Sequence, residues 1–168
     1  MSAQGPAEYG APSQIQKLHS MIGEWEVQFE SREGPEESFN SYQTASSIIP
    51  LLKGAFFQEQ LALPTSSGQS LELVGLLGYD RYREIYRFAW LDKKYAIFDV
   101  HEGQWENETL VVDNLRSATT FRFGDLEFYS RMIWREITAD GFMLESDLSM
   151  DGGKTWFTQA KGLYFRKR

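Results

Sequence analysis

The chain has 168 residues, of which 42% are hydrophobic and 15% aromatic, and its formal net charge is −7 at pH 7. This length and apolar content suit one compact domain with a substantial core, and the aromatic content favours β-structure. The negative charge repels phosphate backbones and no basic stripe opposes it, so we predict no nucleic-acid binding. The chain contains no cysteine, which excludes disulfides, thiolate nucleophiles and cysteine-based metal sites.

The N-terminal segment 1–12 is rich in Gly, Pro and Ala and lacks apolar periodicity, which is typical of a flexible tail. It has neither the basic nor the apolar part of a signal peptide. No apolar run in the chain is long enough to span a bilayer. We therefore predict a flexible tail over residues 1–12, one folded domain over residues 13–168, a cytoplasmic location and no membrane insertion.

A short helix is predicted directly after the tail. Ser13 is a residue type that caps helices, and Ile15, Leu18 and Ile22 share one face at helical spacing. Gly23 then supplies the permissive backbone with which many helices end. We expect this helix to cover one end of the fold.

The residues after the helix alternate between apolar and polar side chains. Trp25, Val27 and Phe29 alternate with glutamate and glutamine, and successive side chains of a strand point to opposite faces of the sheet. The pattern predicts a half-buried strand with these three side chains directed inward.

Further β-rich runs follow, separated by turn-forming sequences. The connections are too short for the crossover helices that a parallel sheet requires. We predict an all-β fold, a single antiparallel up-and-down barrel of about ten strands, in which closure removes exposed sheet edges. The predicted runs are residues 24–32, 38–49, 54–63, 70–79, 84–91, 95–102, 108–113, 118–123, 127–138, 141–149 and 155–166.

Three features together resemble the calycins, the superfamily that includes lipocalins and fatty-acid-binding proteins. They are the short N-terminal helix, the Gly-x-Trp sequence formed by Gly23 and Trp25, and the basic residue Arg166 on the last strand. The resemblance implies that Trp25 closes the barrel floor and that Arg166 packs across it, since an indole face accepts a guanidinium. This role is structural.

Over nearly its whole length the chain is similar to the bacterial, calycin-like DUF1579 family. The resemblance implies a barrel with an internal pocket, and no settled activity comes with it. The similar segments are Leu18–Trp25, Leu77–Asp80, Trp90–Asp92 and Ser149–Trp156.

The last of these segments also matches an Asp-box, with Asp151, Gly153 and Trp156 at the characteristic positions. In sialidases and related proteins this motif is a hairpin turn remote from the active site. We expect Asp151 to accept hydrogen bonds within the turn and Trp156 to pack underneath it.

The two histidines, His19 and His101, cannot form a multi-histidine metal site. Related haem-binding barrels hold haem through a histidine near the chain end, where this chain has none, so we predict no metal and no cofactor. Asp99 and His101 share one strand face and would form an acid–base pair if that face pointed inward. Because Phe98 and Val100 make the opposite face more apolar, we favour the outward orientation.

Charged residues on apolar strand faces are the better functional indication, because a barrel interior accepts a charge only if it is paired, hydrated or in contact with a ligand. Glu59 lies between Phe57 and Leu61 on one face, and Arg87 and Arg131 are the other two cases. Each can instead lie on an outer face that carries some apolar residues. We take Glu59 as the candidate acid or base and both arginines as candidate ligand contacts.

We predict that the barrel binds a small apolar or amphipathic molecule. The first alternative is a cofactor-independent cyclase or isomerase that uses one acid or base. The second is a filled barrel that acts as an interaction domain or homodimer. The predicted pocket walls are Tyr42, Phe57, Trp90, Met132, Trp134 and Tyr164.

Overall fold

The computed structural model describes residues 10–64 and 70–168. Most of the predicted tail lies outside these residues, so the tail and the domain boundary stay predictions. A short N-terminal helix, Ser13–Met21, precedes the strands. The strands are β1 (Gly23–Ser31), β2 (Asn40–Leu51), β3 (Phe56–Pro64), β4 (Ser70–Asp80), β5 (Ile85–Asp92), β6 (Phe98–Glu106), β7 (Thr109–Asp113), β8 (Phe121–Phe123), β9 (Leu126–Arg135), β10 (Gly141–Ser149) and β11 (Phe157–Arg166).

Ten of these strands form a closed antiparallel barrel. They pair in the order β10-β11-β1-β2-β3-β4-β5-β6-β7-β9, and pairing of β9 with β10 completes the ring. The short strand β8 pairs with β9 alone. The predicted all-β barrel of about ten strands is therefore confirmed, and each predicted run overlaps one observed strand.

In strands whose inner side chains are apolar, the buried face is the one that the alternation of the sequence predicts. In β1, Trp25 and Val27 are buried, whereas Glu24, Glu26 and Gln28 are exposed. Inner side chains of the other strands join these two in one continuous apolar core.

The start of β6 differs from its prediction. The strand begins at Phe98, not at Tyr95, because the carboxylate of Asp92 accepts a hydrogen bond from the backbone N–H of Tyr95 at 2.8 Å. Ala96 also has a positive φ of 53°. The turn between β5 and β6 therefore extends over residues that alternation alone assigned to the strand.

The N-terminal helix is a 3₁₀ helix that packs on one end of the barrel. Ile15 and Leu18 are fully buried, and the hydroxyl of Tyr86 donates to the carbonyl of Gln14 at 2.9 Å. Ser13 makes no side-chain cap, so that prediction was wrong. We call the covered end of the barrel the helix end.

Arg166 joins three segments at the helix end. Its guanidinium carbon lies 4.1 Å from the centre of the Trp25 ring. The same guanidinium donates to the carbonyl of Ile22 at 2.9 Å and to the carbonyls of Ser20 and Ala139. One charged side chain thus satisfies backbone acceptors from the helix, from the residue between the helix and β1, and from the β9–β10 connection.

Gly23 makes this arrangement possible. Its φ is +141°, and a Cβ atom at this position would collide with the guanidinium of Arg166. The glycine of the Gly-x-Trp sequence therefore leaves room for the arginine, while the helix itself ends at Met21.

The up-and-down order places the connections 32–39, 93–97, 114–125 and 150–156 at the opposite end of the barrel. We call this the far end. Among the described residues, no helix is long and apolar enough to cross a membrane.

Replacing Arg166 by Lys is expected to lower the free energy of unfolding by about 2–4 kcal/mol. A lysine cannot contact the indole and donate to three carbonyls at once, so cation–π and charge-assisted hydrogen-bond energy is lost. Urea unfolding measures the change. Arg168→Lys at the exposed C-terminus is the matched control and should stay within about 0.5 kcal/mol of the parent. Equal stability of the two variants would contradict the assigned role of Arg166.

Candidate functional site

A buried carboxyl group lies on the inner face of β3. Glu59 is 7% exposed. Its Oε1 atom accepts hydrogen bonds from the Ser46 hydroxyl and from the Tyr164 hydroxyl, each at 2.7 Å. Because Ser46 lies on β2 and Tyr164 on β11, three strands direct polar atoms to one point inside the barrel.

The environment of Glu59 favours its protonated form. Burial raises the pKa of Glu59 above its ordinary value of 4.5 and outweighs the opposite influence of the Ser46 and Tyr164 hydroxyls. Burial and the neighbouring carboxylate also raise the pKa of Tyr164 well above its ordinary value. Burial therefore favours the neutral form of the Glu59 carboxyl group, which two hydroxyls hold in place.

A second polar cluster lies inside the barrel between β6 and β9. The Ser130 hydroxyl donates to Oδ2 of Asp99 at 2.6 Å, and Nε2 of His101 lies 2.8 Å from the Ser130 oxygen. Asn114 donates to both carboxylate oxygens of Asp99 and accepts from the backbone N–H of Ser130. His101 and Asn114 are fully buried.

These hydrogen bonds define the protonation of His101. Because the Ser130 proton points to Asp99, Nε2 of His101 must carry the hydrogen that it shares with the Ser130 oxygen. Burial lowers the pKa of His101, although the charge of Asp99 opposes this. A backbone hydrogen bond with Phe88 opposes it as well, but burial is the largest influence and favours the neutral ring.

The cluster differs from a Ser–His–Asp catalytic triad. In a triad, the serine and the carboxylate contact opposite ring nitrogens, so that the histidine can take the serine proton. Here both groups lie on the Nε2 side of His101, at 2.8 Å for Ser130 and 3.4 Å for Asp99. The arrangement orients polar groups and does not activate Ser130 as a nucleophile.

Aromatic side chains separate the two clusters. The Phe88 ring centre lies 5.7 Å from His101 and 5.0 Å from Trp134. A Cβ atom at Gly75 would lie 2.9 Å from the Phe88 ring and 3.6 Å from Cβ of Glu59. Because Gly75 has no side chain, the Phe88 ring can pack beside Glu59.

The six predicted wall residues lie on inner strand faces. Four of them are buried, whereas Tyr42 and Trp90 are half-buried. These two lie toward the far end in strands β2 and β5. The four buried ones are Phe57, Met132, Trp134 and Tyr164.

Comparison with known protein families shows to which family the chain belongs. The model of the DUF1579 family, described as a protein of unknown function, matches residues 12–166. The chain belongs to the DUF1579 family. Comparison with curated proteins gives no match.

The barrel of this DUF1579 chain is similar to the crystal structure of Rv2717c from M. tuberculosis. The two chains are 12% identical, with a TM-score of 0.64, and the similarity covers 95% of this chain and 100% of the other. At this identity the similarity concerns the fold alone.

The two arginines predicted as ligand contacts in this family member lie on the outer surface of the barrel. Arg87 pairs with Glu102 at 3.0 Å, and its side chain is 43% exposed. Arg131 pairs with Asp147 and lies over the Trp156 ring, 4.4 Å from its centre. The structure corrects both predictions, because each arginine faces its acidic partner directly across neighbouring strands.

The favoured orientation of Asp99 and His101 was also wrong. Both side chains face inward and are buried, whereas Phe98 on the opposite face is 65% exposed. The hydrogen bonds of Ser130 and Asn114 compensate for the burial of the two polar groups. The inward alternative is the one observed, with Nε2 of His101 3.4 Å from Oδ2 of Asp99.

Three polar residues of the two clusters were missed. Ser46 shares its strand face with Ile48, and Ser130 shares its face with Met132 and Trp134. The rule that singled out Glu59, a polar residue on an apolar face, would have found both. Asn114 follows the end of β7 and carries no periodic signal.

The Asp-box residues form the turn between β10 and β11. Asp151 accepts hydrogen bonds from Ser149, from Thr155 and from the backbone N–H of Lys154. These bonds hold the pKa of Asp151 well below its ordinary value. The Trp156 ring donates to the carbonyl of Gly153 at 2.9 Å. The turn lies at the far end of the barrel, where Gly153 is close to the side chains of Leu115 and Trp156.

One surface pocket lies outside the candidate site. A pocket of about 480 Å³ opens beside the C-terminus on the outside of the barrel, lined by Asp140, Phe165, Arg166, Lys167 and Arg168. Within residues 10–64 and 70–168, no group of three or more acidic, histidine or cysteine side chains has the arrangement of a metal site.

Glu59 is expected to give the stability of the protein a pH dependence. Because its folded-state pKa lies above the ordinary value of 4.5, its contribution is fully present below that value and is lost as the pH rises through the folded-state pKa. The parent should therefore lose unfolding free energy relative to Glu59→Gln, by up to about 1.4 kcal/mol per pH unit. Urea unfolding of both proteins at several pH values measures the difference.

Ser46→Ala provides the companion variant. It removes a hydroxyl that lowers the pKa of Glu59, so the loss of stability should continue to higher pH than in the parent. Parallel pH profiles of the parent and Glu59→Gln would show that the buried carboxyl group does not titrate as described.

His101 is expected to be a neutral ring with its proton on Nε2 at pH 6.5, the ordinary pKa of a histidine. Nitrogen-15 NMR of the imidazole measures protonation and tautomer together. His19→Gln leaves His101 as the single histidine and removes any ambiguity of assignment. An imidazolium signal, or a proton on Nδ1, would contradict the hydrogen-bond assignment.

Proposed function

We propose that the barrel binds a small, neutral or cationic amphipathic molecule in its interior. The observation that supports this is the pair of polar clusters, around Glu59 and around His101, set in an otherwise aromatic and aliphatic core. Ligand pockets have this character, with mostly apolar walls and a few fixed polar groups. We place the protein among the calycin-like barrels and its function in the cytoplasm, in line with the cysteine-free sequence.

The charges of the interior determine the class of ligand. The buried titratable groups include the carboxyl groups of Glu59 and Asp99 and the neutral ring of His101. No lysine or arginine is among the buried residues of the described chain. A carboxylate or phosphate would therefore meet carboxyl groups without a compensating cation, which is costly in a low-dielectric interior. Hydroxyl, amide or ammonium groups avoid this cost.

The far end is the proposed route of entry. At the helix end, Trp25 is fully buried beneath the helix, and Ile15 and Leu18 of the helix are fully buried against the barrel. Toward the far end, the inner side chains of Tyr42 and Trp90 are half-buried and accessible to solvent. We assign these two aromatic rings to the entrance of the binding site.

An enzyme that uses one acid or base is the second candidate. It is favoured by the raised pKa of Glu59, because a raised pKa brings a carboxyl group closer to the pH at which it can both donate and accept a proton. Binding is preferred because both hydroxyls already engage Oε1 of Glu59. Native mass spectrometry of protein purified from its host separates the candidates, since an enzyme would also release a chemically altered ligand.

Displacement of Nile red, a neutral fluorescent probe, tests the proposed ligand class. We expect dodecanol and dodecylammonium to displace the probe, and dodecanoate to be much weaker at a pH where it is ionised. Trp90→Ala should weaken dodecanol binding by about tenfold, because the chain loses apolar contact at the entrance. Fluorescence titration measures the affinities.

Arg87→Ala is the matched control, because Arg87 lies on the same strand as Trp90 but faces outward. It should leave dodecanol binding unchanged. Stronger displacement by dodecanoate than by dodecanol would contradict the ligand class. No displacement by any of the three compounds would favour the filled barrel that serves as an interaction domain.

A further inference from the structure

The hairpin formed by β8 and β9 stands beyond the rim of the barrel at the far end. Toward the far end, the pairing of β9 with β10 stops at Tyr129, and the pairing of β9 with β7 stops at Arg131. Residues 126–128 of β9 pair only with β8. At about 3.3 Å per residue, this two-stranded ribbon extends roughly 10 Å past the rim.

The two faces of this ribbon have opposite character. On the outer face, the Glu127 carboxylate accepts hydrogen bonds from the hydroxyls of Thr120 and Tyr129, and Arg122 lies 3.8 Å away. On the other face, the residues of the ribbon beyond Ser130 are all apolar. We call this face the flap; it consists of Phe121, Phe123, Leu126 and Phe128.

The flap continues the inner wall of the barrel. Side chains alternate along β9, so Leu126 and Phe128 share a face with Met132 and Trp134, which belong to the core. The Phe121 and Phe128 rings stack with centres 5.5 Å apart. Beyond them, Leu126 is 53% exposed and Phe123 is 78% exposed. An apolar lining thus leads from the interior onto a surface that no described residue covers.

We propose that the flap binds the apolar tail of the molecule held in the barrel. The inference rests on the proposed function and deepens it, because it requires an elongated ligand. The polar group of the ligand lies inside, near Glu59 or His101, and the tail passes the rim and lies along Phe123 and Leu126. Burying these two exposed side chains against a hydrocarbon tail is favourable in proportion to the apolar area removed from water.

A second copy of the chain fits the flap less well. A stable interface buries about 800 Å² on each partner, and a ribbon roughly 10 Å long and two strands wide offers far less. Two copies, each with a net charge of −7, also repel one another. The continuity of the flap with the interior favours the ligand tail.

The test compares octanol with dodecanol as competitors of Nile red on the full chain. In the double variant Phe123→Ser, Leu126→Ser, dodecanol should bind about threefold to tenfold more weakly than to the parent. Leu126 lies four residues from Ser130 of the inner cluster, about 13 Å along the strand. Octanol is too short to reach Phe123 and Leu126 from the inner polar groups and should bind equally to both proteins. Phe165→Ser is the control, because Phe165 is 52% exposed and lies outside the barrel on β11.

The outcomes separate the flap from the proposed function. If both alcohols bind to the variant and the parent with equal affinity, the flap assignment is overturned and the interior site stands. If neither alcohol binds to the parent, the proposed function itself is overturned. A parent dimer that dissociates in the variant, measured by light scattering, would assign the flap to a second copy and overturn the proposal.

Discussion

The contact between Arg166 and Trp25 is the constraint on which the rest of the structure depends. It joins residues from the first and the last strands of the barrel, which also pair with each other, and its guanidinium holds carbonyl groups of the N-terminal helix. Because the helix end is sealed in this way, the inner side chains near Trp25 belong to the core. The inner side chains that remain half-buried, Tyr42 and Trp90, lie toward the far end, which is the proposed route of entry.

Alternation in the sequence predicted the fold well and the orientation of one strand badly. In β1 the inner residues are apolar, so period-two patterning identifies the inner face correctly. In β6 the inner residues include Asp99 and His101, and the same rule chose the opposite face. Their burial depends on Ser130 and Asn114, and hydrogen bonds between such distant segments leave no trace in the local pattern.

The arginines illustrate a second limit of sequence reasoning. Glu59, Arg87 and Arg131 all interrupt apolar patterns, yet only Glu59 faces inward. The partners make the difference, since Glu102 and Asp147 lie directly opposite the two arginines on neighbouring strands. Glu59 has two hydroxyl partners and none of opposite charge. The register of the sheet places Glu102 and Asp147 opposite the two arginines on the outer face, and the local sequence pattern does not reveal this register.

This separation of charge also determines how a ligand can interact with Glu59. A hydroxyl group can accept a hydrogen bond from the neutral carboxyl group, so its binding leaves the protonation of Glu59 unchanged. An ammonium group favours the carboxylate, so its binding must release the proton that burial retains. The affinity for a cation should therefore rise with pH until Glu59 is ionised, whereas the affinity for an alcohol should not. In the proposed binding site, the two ligand classes are therefore distinguished by whether their binding releases a proton.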